Sequence, residues 1–237
     1  DGLAGDEVKS ICETADGSLW FAIYGGGVFR YDGEKFDRFT DERGLGSIWV
    51  NALDIARDGT LWAGESTYGV ARLDLTPGGS TATGENSGAV QGRSRTSAQA
   101  LVFEPLSPKR YGMETAIVFS VHADPGGAVW FGTMNAGAFR YDGQRFTHLT
   151  QQDGLAHNTV YTICRASDGS LWFGTHGGLS HYYPPRVIPG ERETKGRIVT
   201  FTTADGLADN HVWAVLEATD GTLWIGTQSG GVSVYDG

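Results

Sequence analysis

The stretch SDGSLWFGTHGGLS, residues 167–180, contains an Asp-Gly turn, a Leu-Trp-Phe run, a Gly-Thr pair and a Gly-Gly turn. A near copy, TDGTLWIGTQSGGVS, fills residues 219–233. With the tryptophan of this stretch as a ruler, related segments centre on Trp20, Trp62, Trp130, Trp172 and Trp224, at spacings of 42, 68, 42 and 52 residues. A period near 40, stretched where extra sequence intervenes, is the signature of stacked repeats, none of which can bury its apolar face alone. Register supports five copies. Twelve residues before the rulers stand Val8, Val50, Val118, Val160 and Val212, and nine before them Ile11, Leu53, Val121, Ile163 and Val215. Two residues after the rulers stand Ala22, Gly64, Gly132, Gly174 and Gly226.

Within one copy the plan is EVKSICE, ADGS, LWFAI, YGGG, VFRYD, GEK, FDRFT. Four short apolar runs joined by Gly-rich or Asp-Gly turns predict a four-stranded antiparallel meander, with no room for a crossover helix. Radial stacking of such sheets gives an all-β fold, a β-propeller of four-stranded antiparallel blades. Five repeats are visible, at about 1–40, 41–113, 114–150, 151–203 and 204–237, and together they read as one domain or as part of a larger ring. Insertions at about 76–99 and 184–197 interrupt the connection from strand three to strand four in repeats two and four, so both should leave the same end of the disc. The fifth copy stops after three strands, which predicts either further blades or a strand supplied by another protein chain, because an open edge is a pairing hazard.

Composition narrows the function classes. The chain has 237 residues, 36 of them Gly, and a formal charge of −10, which argues against sequence-independent binding to nucleic acid or anionic membrane. Arg93, Arg95, Lys109 and Arg110 read as solvated loop. No apolar run is long enough to span a membrane, so no direct membrane insertion is expected in this segment. Cys12 and Cys164 occupy equivalent slots in non-adjacent repeats and predict neither a disulfide nor a metal motif, and no cofactor is called for.

The segments DGLAHNTVYTICRASDGSLWFGTHGGLSHY and DGLADNHVWAVLEATDGTLWIGTQSGGVSVYDG, with FDRFT, FTHLT and VTFTT as outer strands, resemble the two-component regulator propeller repeat. The resemblance implies a ligand-binding sensor propeller of bacterial hybrid two-component signalling, periplasmic or extracellular, often recognising an oligosaccharide or other small molecule.

Antiparallel order places the lead-in to strand one and the turn between strands two and three at one end. That end collects the candidate ligand-binding residues Tyr24, Trp49, Glu65, Tyr68, Asn135, His157, His176 and Gln228 around the central channel. Aromatic walls with a few fixed polar groups suit a glycan or small metabolite. Asn158 and Asn210 share a slot and read as turn-closing side chains. The ruler tryptophans read as packing between blades. Two other readings stand beside recognition. One is a structural or protein-interaction propeller within a larger assembly. The other is a polysaccharide lyase or hydrolase using His157, His176 and His211 with Glu65 for acid–base chemistry. No nucleophile or phosphate-loop motif accompanies that set, so no catalytic residue is assigned.

Overall fold

The computed structural model describes residues 3, 5, 7–76, 101–106, 116–185 and 196–236. Blade one is β1 (Val8–Glu13), β2 (Leu19–Ile23), β3 (Gly27–Tyr31) and β4 (Phe36–Phe39). Blade two is β5 (Val50–Ile55), β6 (Thr60–Glu65), β7 (Val70–Asp74) and β8 (Glu104–Leu106). Blade three is β9 (Val118–Ala123), β10 (Val129–Thr133), β11 (Ala138–Tyr141) and β12 (Phe146–Leu149). Blade four is β13 (Val160–Arg165), β14 (Leu171–Thr175), β15 (Gly178–Tyr183) and β16 (Arg197–Phe201). Blade five has three strands, β17 (Val212–Glu217), β18 (Leu223–Thr227) and β19 (Val232–Tyr235). Each sheet is an antiparallel meander in chain order. The insertions fall between β7 and β8 and between β15 and β16, and residues 77–100 and 186–195 within them lie outside the described part.

The turns follow from their residues. In the Asp-Gly turns the aspartate accepts the backbone N–H two residues on, as Asp168 does from Ser170 (2.8 Å) and Asp220 from Thr222 (3.0 Å). Before blades four and five, short 3-10 turns at Gln151–Asp153 and Thr203–Asp205 begin with capping boxes built on Thr150 with Asp153 and Thr202 with Asp205. Asn158 and Asn210 then accept from the backbone N–H of Gln151 (2.8 Å) and Thr203 (2.7 Å), the turn-closing role read for them in the sequence. Gly137 opens β11 at φ 81°, where a Cβ would lie 2.1 Å from the Leu149 carbonyl oxygen, so strand three can meet strand four only through glycine.

Blades stack by one repeated device. In blades two, three and four the glycine two residues after the ruler leaves the space that the next blade's framework valine fills. A Cβ on Gly64 would stand 2.6 Å from Val118 Cγ1, and on Gly132 or Gly174 it would stand 2.9 Å from Val160 or Val212 Cγ1. The ruler tryptophan joins the same interface. Trp62 meets Phe131 and Tyr141 edge-on at 5.6 Å, and Trp130 meets Phe173 (5.6 Å) and Tyr182 (5.5 Å). Four apolar clusters result, one for each pair of neighbouring blades. The inner strands β1, β5, β9, β13 and β17 pack each on the next, and among the described residues β17 and β1 are not among the closely packed pairs. The five blades form an arc.

Its two ends expose the unmatched halves of the device. Trp20, Trp62, Trp130 and Trp172 are 1–5% exposed, whereas Trp224 is 48% exposed. Val50, Val118, Val160 and Val212 are fully buried, whereas Val8 is 43% exposed. The expectation that every ruler packs between blades therefore holds for four of the five. Among the described residues no blade packs on Trp224 as the next blade packs on the other four.

Candidate functional site

Each inner strand carries a β-bulge at one and the same slot. The register slips between Val8 and Ser10, Val50 and Ala52, Val118 and Ser120, Val160 and Thr162, and Val212 and Ala214. The extra residue, eleven before each ruler, is Lys9, Asn51, Phe119, Tyr161 or Trp213. A bulge re-aims a side chain out of the alternating pattern. Here all five bulge residues line one cavity of about 480 Å³, together with Tyr24, Ser66, Ile117 and Met134 from the neighbouring loops.

The end-face geometry is the one expected from antiparallel order. In every blade the turn between strands two and three bonds back to the lead-in of strand one. Tyr24 N–H donates to the Glu7 carbonyl (3.0 Å), Ser66 to Trp49 (2.8 Å), Met134 to Ile117 (2.8 Å), His176 to Thr159 (3.1 Å) and Gln228 to His211 (2.9 Å).

The eight expected residues divide into groups. On blades one and two, Tyr24 lines the cavity and packs edge-on against Trp49, with centroids 4.7 Å apart, and the Lys9 ammonium lies 5.1 Å from the Tyr24 ring. Tyr68 is exposed beside Gly46. Across blades four and five, the rings of His157 and His176 lie 5.1 Å apart and those of His176 and His211 4.3 Å apart. Tyr161 and Trp213 join them, Tyr161 Oη lying 3.2 Å from His176 Nδ1 and the His211 ring stacking on both aromatics. Burial first, and then the proximity of His176, holds His157 and His211 below the usual histidine range. Asn135, at φ 64°, accepts from Thr159 Oγ1 (3.0 Å) and joins blade three to blade four. Gln228 is exposed on the blade-five turn. Among the described residues no group of three His, Cys, Asp or Glu is placed to hold a metal ion.

Glu65 is fully buried, away from the cavity wall. Its Oε1 accepts the Gly46 N–H (3.1 Å), and burial pushes its pKa up to about 7. Its slot explains this position. In blades three, four and five the same slot holds Thr133, Thr175 and Thr227, whose hydroxyls donate to the turn carbonyls of Gly137, Gly178 and Gly231. The threonines close the turn between strands two and three, whereas Glu65 holds the lead-in to strand one.

Sequence reasoning named the rim but missed the bulge residues, although their signal was present. The valine twelve before the ruler and the apolar residue nine before it pack in the same interblade cluster, as Val50 and Leu53 do. In a regular strand, residues three apart face opposite sides. One extra residue must lie between them, and it must point elsewhere.

Fold and site define a class: a β-propeller arc whose inner-strand bulges line a central recess with side chains that differ from blade to blade. Within that class, residues 2–25, 154–177 and 206–229 match the family model described as two component regulator propeller. Histidine kinase P4 of Formosa agariphila is 24% identical over 188 residues, covering 75% of this chain and 12% of the kinase. Among solved structures, the extracellular domain assigned to the hybrid two component system BT3049 of B. thetaiotaomicron superposes with a TM-score of 0.71 at 21% identity. That match covers 99% of this chain and 29% of that one. A streptogramin B lyase shares the fold at a TM-score of 0.58 and 15% identity, over 100% of this chain and 70% of the lyase. PorZ, a surface component of the type-IX secretion system of Porphyromonas gingivalis, does so at 0.55 and 14%, over 99% of this chain and 39% of PorZ. The chain thus spans a small part of the kinase and less than a third of the BT3049 domain.

Proposed function

We propose that this chain is a ligand-recognition propeller of a bacterial two-component sensor, acting in the periplasm or outside the cell and binding a glycan or small metabolite without turning it over. The observation that carries the reading is the recess: a fixed framework of valine, glycine and tryptophan presents one variable side chain per blade to a shared cavity. Conserving the scaffold's geometry while changing what it displays is the behaviour of a binding surface. The regulator propeller repeats and the kinase similarity support the signalling context. The lyase shares this chain's fold alone, and fold does not carry chemistry. In this reading the exposed faces of blades one and five are covered by further propeller blades or by another protein chain. The same exposed faces are what favour the second reading, an assembly module.

The test is a melting-shift screen of the purified chain against neutral and acidic oligosaccharides and common metabolites, followed by calorimetry on Tyr68→Ala and His176→Ala. A ligand that binds the folded state alone raises the melting temperature by mass action. At least one compound should do so, and a rim substitution should weaken its binding. A screen with no shift, together with copurification in a stable complex, would favour the assembly reading.

A further inference from the structure

The chain carries a formal charge of −10, yet the charged residue among those lining the recess is a lysine. Lys9 stands on blade one, beside Asn51 of blade two. Facing them from blades three, four and five is a continuous aromatic wall. The Phe119 and Tyr161 rings are 5.4 Å apart, and the Tyr161 and Trp213 rings 4.1 Å apart. Trp213 stacks on His211 and is still 49% exposed, which leaves indole surface open to a ligand ring. Asn51 is held by its own side-chain amide, which donates to Ser66 Oγ (2.9 Å) and to the Val118 carbonyl (2.9 Å). Lys9 donates to Glu7 Oε1 (2.5 Å) in an exposed pair. Exposed pairs of this kind contribute little, and an ammonium has three donors, so Lys9 can also serve an incoming anion.

Because all five side chains sit on bulges of packed inner strands, the wall and the cation are held at fixed separation by the blade cores and not by loops. A ligand with a flat or apolar ring face on one side and an anionic group on the other matches this lining. Building on the recognition reading above, we infer that the recess selects a carboxylated ring compound, seated with its ring on Tyr161 and Trp213 and its carboxylate on the Lys9 ammonium. Two sources share that chemistry: a uronic-acid-bearing saccharide and an aryl carboxylate.

The experiment uses the whole chain with three probes: a glucuronic-acid-terminated disaccharide, phenylacetate, and cellobiose as a neutral sugar. Binding is read by tryptophan fluorescence and by calorimetry. At least one acidic probe should bind tenfold or more tightly than cellobiose, and which of the two does so identifies the source. Lys9→Ala, an exposed position whose loss leaves the core intact, should abolish that preference. Trp213→Ala should weaken the acidic probe at least tenfold, and Trp213→Phe should restore most of it. Equal or tighter binding of cellobiose would overturn the acid preference and leave the recognition reading standing. Acid binding that neither Lys9→Ala nor Trp213→Ala changes would move the site elsewhere. Failure of all three probes, alongside a positive hit for some other compound in the melting-shift screen, would overturn this inference alone.

Discussion

Glu65 shows how a single carboxyl can couple the fold to pH. Its pKa is raised from 4.5 to about 7 by burial, so the folded chain holds the proton more tightly than the unfolded chain does. The associated stability is full below about 4.5 and declines as pH climbs toward about 7, by roughly 3 kcal/mol at most. Histidines act in the opposite sense. Burial lowers the pKa of His122, His157 and His211, so their contribution is full above about 6.5 and is lost as pH falls. Glu65→Gln keeps an acceptor for the Gly46 N–H and removes the titration. Urea melts at pH 5 and pH 8 should show this variant stabilised by roughly 1–3 kcal/mol at pH 8 and little changed at pH 5. Identical curves for variant and parent at pH 8 would mean that the carboxylate is solvated in the folded chain. A rim role for Glu65 looked natural in the sequence because the residue sits next to a varied turn. The equivalent residues Thr133 and Thr175 are buried as Glu65 is, so the slot faces inward, although Glu65 bonds the lead-in at Gly46 where the threonines bond their own turn.

At the scale of the blade, the ruler tryptophans separate the contribution of a neighbour from the contribution of a sheet. Trp62 and Trp224 share a slot and a local sequence, and differ in having a following blade to pack on. Trp62→Ala should cost about 3–5 kcal/mol, as for a buried aromatic truncated in a packed core. Trp224→Ala in the same chain should cost less than about 1 kcal/mol, as for a surface change. Denaturant midpoints of the two variants measure the contrast, and comparable losses would show that the indole stabilises its own sheet. Strand order and turn chemistry were legible because Asp-Gly and Gly-Gly turns and period-two runs act locally. So was the gathering of His157, His176 and His211 at one end, since antiparallel order alone fixes which loops are neighbours. The bulges were not legible by alternation. An extra residue shifts the phase, and the side chain that it frees is the one a period-two template assigns to a face it does not occupy.

For the molecule as a whole, the arc presents two unlike faces. Blade one offers Val8 and Ile11, the residues that elsewhere receive a preceding blade, and blade five offers Leu216, Trp224 and Val234. Exposed apolar surface on this scale marks an interaction site. The isolated chain should bind a hydrophobic dye such as ANS at neutral pH and sediment with a concentration-dependent mass, and Trp224→Ser with Val234→Ser should diminish both. A monomer that binds no dye and unfolds in one sharp transition would show that the arc is satisfied without a partner. Five repeats and a three-stranded fifth blade could be counted from the sequence. Whether β17 meets β1 could not, because curvature accumulates from small rotations at each interface and no single residue encodes it.

The valine-into-glycine fit has a genetic corollary. Blades two, three and four each carry a knob on the side facing the predecessor and a glycine socket on the side facing the successor, so copies of this unit can be neighbours in any order. An in-frame duplication or deletion of one whole repeat therefore joins a socket to a knob and creates no new junction. The number of blades can change by unequal crossing-over at the DNA level without a compensating substitution, while the bulge residue of the added copy remains free to diverge.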